Sequence, residues 1–410
     1  MSKHYDNLEI RDQELREQKL FTALPELIKS AKEHALGWAE LLKDIAPSDI
    51  TTRKALSQLP VLRKSELADK QKNSPPLGGF SISDPKTLAR LFTSPGSIYE
   101  PEGHREDWWR TARALFAAGF RQGDIIHNAF SYHLTPGGFI LDAGARSLGC
   151  PVIPAGVGNT DMQVEAINHI KPAGYSGTPD FLKVLLDKAG EKGLDTSSIT
   201  KALVSGAALP PSLRQEFAQR GISALQAYIT ADVGLIAYET EALEGMVLDE
   251  NIILEIVTPG TGEPVLEGEV GEVLVTSFNQ DFPMIRYATG DLSAVLPGTS
   301  PCGRTNTRIK GWMGRADQTA KVKGLFIHPS QVAAITKAHP ELGRSRIVIT
   351  RQAEQDVMTF EAECSQSDVN LISKVNETLQ TITSLKGQIK LLPAGTIPAD
   401  GRVIIDEREY

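Results

Sequence analysis

Five short runs of strand type recur between residues 124 and 228: DIIHNAF (124–130), CPVIPAG (150–156), AGYSG (173–177), KALVSG (201–206) and ALQAY (224–228). Segments 108–120, 162–170 and 180–189 carry helical spacing between them. No other feature constrains the fold as much. A strand that returns through a helix rather than a tight turn lies parallel to its neighbour. The crossover is right-handed, and the helices cover both faces of the sheet. At 410 residues the chain is too long for one core, which predicts two domains.

The flanks read differently. The first 70 residues are helical in pattern, with Leu20, Leu24, Leu27, Ile28 and Ala31 at helical spacing within 10–43. Ser48 and Thr51 are placed as N-caps of a further short helix before Pro60. NIILEIVTPGTGEPV (251–265) and GEVGEVLVTSF (268–278) alternate like hairpin strands around glycine turns, giving a meander or a small β-barrel-like part. Beyond residue 314 mixed strand and helix patterns suit a small α+β domain. The expected class is therefore α/β: a large N-terminal domain of mixed and parallel sheets flanked by helices, and a small C-terminal α+β domain.

A net charge of −8 argues against a nucleic-acid binder, which presents a basic stripe. No run of about 18 apolar residues occurs, so no membrane-spanning helix is expected. The first residues, MSKHYDNLEIRDQELREQ, are polar and acidic with no apolar signal core. Cys150, Cys302 and Cys364 are isolated, against a disulfide framework or zinc cluster and in keeping with a reducing cytoplasm.

Tyr287-Ala-Thr-Gly290-Asp291 follows Phe282-Pro-Met-Ile-Arg286, and a Gly-Arg-x-Asp lies downstream at Gly314 to Asp317. An ionised carboxylate at Asp291 can accept both hydroxyls of a ribose, and the planar fork of Arg315 suits phosphate or ribose oxygens. A turn with a helix cap explains a lone TGD equally well.

ATGD at Ala288 to Asp291 and GRADQTAKVKG at Gly314 to Gly324 resemble the nucleotide and hinge motifs of the adenylate-forming enzymes. Ser205-Gly-Ala-Ala-Leu209 resembles their adenine-binding loop, and Ala227-Tyr-Ile-Thr-Ala-Asp-Val-Gly234 the segment after it. HYDNLEIRDQELREQKL, LPVLRKSEL, Asn128-Ala-Phe-Ser-Tyr132 with Gly137-Gly138, residues 170–179, Pro301-Cys-Gly-Arg304 and Leu392-Pro-Ala-Gly-Thr-Ile-Pro398 are similar to the phenylacetate–CoA ligases in particular. The resemblance runs nearly end to end and in order.

It implies an adenylate-forming domain over 1–314 and a mobile lid domain over 315–410 that rotates about a hinge near Asp317. It implies a homodimer that takes a small aromatic acid, ATP, Mg²⁺ and coenzyme A. Nucleotide contacts fall on Ser94 and Ser97 of the phosphate loop, Gly206, Ala207 and Ala208 of the adenine loop, Tyr228, Asp291 and Arg315. Tyr132, His133, Gly137 and Ile229 match the acyl site, where Tyr132 and His133 read equally as packed core residues. Asp232 is the metal acid, and Arg402 stands near the place of a catalytic lysine.

Three departures bear on the chemistry. In Thr93-Ser-Pro-Gly-Ser-Ile-Tyr-Glu-Pro101, Pro95 removes a donor, Ile98 a hydroxyl, and Glu100 puts a carboxylate where the family has a base. Read alone, that stretch is a turn-rich surface loop. Asp232 is one methylene shorter than the family's glutamate, and reads equally as a helix cap or a solvated acid. Arg402 keeps the charge in a bulkier, planar form. The expected function is ligation of an aromatic acid to coenzyme A through an acyl-adenylate. Two alternatives stay open: a homologue that binds nucleotide without efficient adenylation, and one that transfers a preformed acyl-adenylate to a thiol or amine.

Overall fold

The computed structural model describes residues 3–94, 97–258, 260–313, 316, 320–323, 325–327, 329–352, 355–364, 369–398 and 402–408. The chain divides into two compact units, Met1–Met313 and Gly314–Tyr410.

Unit 1 starts with α1 (Gln13–His34), capped by the Asp12 side chain on the Leu15 N–H, then α2 (Leu36–Leu41) and α3 (Arg53–Leu56). The cap of α3 is Thr52, whose hydroxyl accepts from Ala55 N at 3.2 Å, and not Thr51. Ser48 lies inside a 3-10 turn, Pro47–Asp49, and caps nothing. Thr52 takes the role because its extended backbone (φ −142°, ψ 159°) aims the oxygen at the third helical N–H. Phe21, Leu24, Ile28 and Trp38 join the main core. Buried charge ties the segment down: Arg16 to Glu250 at 2.9 Å, and Glu9 to Arg113 at 3.1 Å and Arg304 at 3.0 Å. After β1 (Leu62–Arg63) and α4 (Lys64–Asn73), β2 (Arg90–Ser94) and β3 (Ile98–Glu102) form an antiparallel hairpin.

The alternating region follows as α5 (Ala112–Ala117), β4 (Ile126–Asn128), α6 (Gly137–Ser147), β5 (Val152–Pro154), α7 (Thr160–Ile170), β6 (Gly174–Gly177), α8 (Pro179–Lys192), β7 (Lys201–Val204), α9 (Pro211–Gln219) and β8 (Ser223–Thr230). The helix expected over 108–120 is shorter. Arg110 sits at φ +66°, outside helical space, and the Asp107 carboxylate receives the N–H groups of Thr111 and Ala112, so the turn can begin only there. Strands β5, β4, β6, β7 and β8 are parallel. Alternate residues face opposite ways: Leu203 and Leu225 join the core containing α5 and α6, while Ala202, Val204 and Ala224 pack with α7, α8 and α9.

Strands β9 (Gly234–Glu239) and β10 (Met246–Leu248) continue this sheet antiparallel. The hairpin region supplies β11 (Ile252–Val257), β12 (Gly271–Ser277) and β13 (Met284–Ser293), and β14 (Val295–Leu296) and β15 (Arg308–Ile309) complete a nine-stranded sheet. Of the two forms left open by the sequence, the meander is the one found. β11, β12 and β13 are antiparallel neighbours, and β1 adds in parallel beside β13, so the four-stranded sheet is open-edged.

Unit 2 is α+β. The hairpin β16 (Ala320–Val322) and β17 (Leu325–Ile327) is followed by α10 (Pro329–Ala338), β18 (Leu342–Gln352), β19 (Gln355–Cys364), α11 (Val369–Thr383), β20 (Gln388–Leu392) and β21 (Ile404–Asp406). β18 and β19 pair antiparallel at the centre of a sheet ordered β20-β19-β18-β21. Ile335, Ile347, Phe360, Val375 and Leu379 fill its core. No described helix is long and apolar enough to cross a membrane.

Candidate functional site

In the parallel sheet the crossover from β4 runs to β5 on one side and that from β6 to β7 on the other, so the carboxyl ends of β4 and β6 flank the usual place for a ligand crevice. Asn128 closes β4 there. Its buried amide donates to Tyr132 Oη at 2.7 Å and to the Gly138 carbonyl at 2.8 Å, and its Oδ1 accepts from Ser176 Oγ at 3.0 Å. Tyr132 stands edge-on to Phe139, ring centroids 5.1 Å apart. Burial, and then Asp142, push its phenol above the ordinary range. His133 is exposed, which removes the reading of it as a core residue.

The two glycines beginning α6 differ sharply. A Cβ on Gly138 would come within 2.6–2.8 Å of three ring carbons of Tyr132, whereas one on Gly137 would find nothing nearer than Phe130 Cβ at 3.7 Å. Gly138→Ala is therefore expected to cost about 1–3 kcal/mol of unfolding free energy. Gly137→Ala is expected to stay within about 0.5 kcal/mol. Urea unfolding of both variants measures the difference, and equal stabilities would refute the close packing of Tyr132.

Asp291 lies within a strand, not in a turn with a helix cap. From Leu274↔Ala288 to Glu272↔Leu292, β12 advances two residues while β13 advances four. The surplus bulges out at Thr289, Gly290 (φ +77°) and Asp291, re-aiming the carboxylate. Tyr228 Oη donates to Asp291 Oδ2 at 2.7 Å and lies 3.1 Å from Thr289 Oγ1, while Trp312 Nε1 donates to Oδ1 at 3.0 Å. One buried carboxylate is thus fixed by two aromatic donors. Asp291 and Tyr228, 63 positions apart, are brought together; Thr289 was named only as part of the ATGD motif, and Trp312 carries no sequence signal.

Residues 93, 94 and 97–101 do not form a loose surface loop; 95 and 96 lie outside the described residues. The hairpin ladder runs from Arg90↔Glu102 to Ser94↔Ile98. Gln71 of α4 clamps it, accepting the Tyr99 N–H at 2.8 Å and donating to the Tyr99 carbonyl at 2.7 Å. Tyr99 points out, 44% exposed, and Glu100 points in, 1% exposed, with no hydrogen bond to either carboxylate oxygen. Burial and then the charge of Asp232 push Glu100 up to about 8, opposed by Ser94 and Lys64. Asp232, in the turn from β8 to β9, is 4% exposed and is neither a helix cap nor a solvated acid. Its Oδ2 takes the Lys64 ammonium at 2.6 Å, and its Oδ1 has no partner. Lys64 lies in the LPVLRKSEL segment, yet nothing local marks it as the partner of an acid 168 positions on.

Gly206 (φ +75°), Ala207 and Ala208 form the loop at the carboxyl end of β7, joined to β8 by Gln226 Nε2 on the Ala207 carbonyl at 3.3 Å. Ile229 is half-buried at the β8 bulge next to Tyr228. Ser94 is half-buried at the end of β2, and Ser97 is exposed at φ +58°. Arg402 is exposed in unit 2. Arg315 and Asp317 lie outside the described residues.

Residues 110–280 match the family model described as AMP-binding enzyme. The chain is 30% identical over 375 residues to the phenylacetate–coenzyme A ligase of Pseudomonas putida, covering 86% of this chain and 84% of that one. It is 29% identical over 327 residues to the Thermus thermophilus ligase of the same name, 76% and 72% covered. Among solved structures, 2-hydroxyisobutyryl-CoA ligase in complex with 2-HIB-AMP and CoA superposes with a TM-score of 0.84 at 24% identity, over 100% of this chain and 93% of that one. That likeness concerns the fold.

Proposed function

The chain belongs to the phenylacetate–CoA ligase family of AMP-binding, adenylate-forming enzymes, and from that premise we propose that it joins an aromatic carboxylic acid to coenzyme A in two half-reactions. The acid's carboxylate attacks the α-phosphorus of ATP and expels pyrophosphate, leaving an acyl-adenylate. The thiolate of coenzyme A then attacks the acyl carbon and expels AMP.

The observation that carries the reading is Asp291, a buried carboxylate held by Tyr228 and Trp312 at the bulge of β13. A diol such as ribose needs an ionised acceptor in one fixed orientation, and these two donors supply the fixing. Gly206, Ala207 and Ala208 take the adenine, with Tyr228 beside it, and Arg315 the ribose or phosphate oxygens. Tyr132, His133, Gly137 and Ile229 line the acyl pocket, where the Asn128 amide holds Tyr132. Mg²⁺ suits the oxygen-only donors at Asp232, whose Oδ1 is unpartnered, and when bound it neutralises phosphate charge. Arg402 offers charge to the phosphates from the C-terminal unit, which acts as a lid hinged near Asp317. Isolated cysteines support a cytoplasmic enzyme, and the family likeness supports a homodimer.

A second reading is favoured by Glu100 and the Lys64–Asp232 pair, which put two carboxylates and an engaged ammonium beside the expected triphosphate path. On that reading the chain passes a preformed acyl-adenylate to a thiol or amine. Pyrophosphate–ATP exchange with a panel of aromatic acids distinguishes the two. Exchange with at least one acid is expected; its absence with every acid, alongside thioester formation from supplied acyl-adenylate, would establish the second reading instead.

A further inference from the structure

A carboxylate without a hydrogen-bond donor is expensive to bury, and the protein avoids it elsewhere. Glu250 faces Arg16, Glu255 faces Arg286, and Glu9 faces Arg113 and Arg304. Glu100 is different: among the described residues no other carboxylate has both oxygens buried and unpartnered. The charges that act on it are Asp232, which itself keeps Oδ1 buried and unpartnered, and Lys64, whose ammonium is engaged 2.6 Å from Asp232 Oδ2. Ionised, the three groups would sum to one negative charge; the free protein relieves it by holding a proton on Glu100, and three carboxylate oxygens remain buried without a hydrogen bond of good geometry. A cation between the two carboxylates takes the place of that proton and gives the buried oxygens a partner.

We propose that Glu100 and Asp232 together hold a divalent cation of the Mg²⁺ type on the free protein, before any nucleotide arrives. The donor set is oxygen only, and no described group of three or more His, Cys, Asp or Glu side chains gathers into a cage. Two carboxylates with waters in the remaining positions are what Mg²⁺ accepts and what zinc, preferring nitrogen and sulfur, does not. With both carboxylates ionised around it, the cation brings the sum of charges to +1. It thereby restores positive charge at the hairpin position where the resemblance places a basic residue, with Glu100 supplying the ligand and the ion the charge. The ligase reading underlies what the ion then does for phosphates; its binding to the free chain does not depend on that reading.

The test uses the full chain without nucleotide. Mn²⁺ binding followed by the loss of its free electron paramagnetic resonance signal, and Mg²⁺ binding by calorimetry, are expected to show one equivalent bound. Glu100→Gln and Asp232→Asn are each expected to weaken Mn²⁺ binding by about tenfold or more. Glu100→Asp, which keeps the charge on a shorter arm, is expected to fall between Glu100→Gln and the unaltered protein. Glu102→Gln, at a carboxylate already paired with Arg90 at 2.7 Å, is expected to change nothing. Thermal unfolding in EDTA verifies that each variant is folded. No Mn²⁺ bound by the unaltered protein, or Glu100→Gln binding it equally well, would overturn the proposal. Loss of pyrophosphate exchange with the ion still bound would count against the ligase reading alone.

Discussion

Asp291→Ala is expected to weaken AMP binding about a hundredfold or more. Each hydrogen bond to a charged acceptor contributes about 1.5–3 kcal/mol, and a ribose diol makes two. The substitution also strips Tyr228 Oη and Trp312 Nε1 of their shared acceptor, so Asp291→Asn is the informative companion. An amide keeps the shape and one accepting oxygen, and AMP affinity is expected to fall between the two. Calorimetric titration of AMP into all three proteins gives the series. An unchanged dissociation constant for Asp291→Ala would end the assignment of this carboxylate to ribose, whatever the enzyme's substrate.

The largest effect on stability is expected five residues upstream. Arg286 is 2% exposed and sits at φ +45°, a conformation retained because its guanidinium joins three segments. Nε donates to Glu255 of β11 at 3.0 Å, Nη1 to the Leu59 carbonyl at 2.5 Å and Nη2 to the Gly262 carbonyl at 2.6 Å. Burial already pushes the Glu255 carboxyl up against the pull of Arg286. Truncation to alanine leaves that charge and two carbonyls buried without partners, and is expected to cost about 3–5 kcal/mol in urea unfolding. The double variant Arg286→Met, Glu255→Leu removes both charges and is expected to recover most of the loss. A single-variant cost below about 1 kcal/mol would show the network to be dispensable.

The parallel sheet was legible because its strands read as short runs of strand type and two of its crossovers, α7 and α8, as periodic helices, whereas α6 and α9 were not read as helices. Both signals are local. Tyr228 and Asp291 were legible through motif order. What was hidden depends on partners distant in sequence. Lys64 is one lysine among several in a polar helix, and only the fold carries it to Asp232. Trp312 marks no motif, yet it holds the carboxylate 21 positions before it. Glu100 was legible as a charge out of place, but not as a buried one, since TSPGSIYEPEG has the composition of an exposed turn. Its burial follows from strand alternation set by the hairpin ladder, which sends Tyr99 out and Glu100 in. The end of a helix can be equally non-local: Arg110, at φ +66°, also reaches Asp249 at 2.7 Å and the carbonyls of Val233 and Leu235.

Because Gln71 grips both backbone groups of Tyr99, the paired strands at residues 90–94 and 98–102 are assembled once, when the chain folds. A glycine-rich loop that stays mobile until an anion arrives gives up about 1–2 kcal/mol of backbone freedom per residue at the moment of binding. In strands β2 and β3 that ordering precedes the ligand, so their backbone adds little to the entropic cost of association.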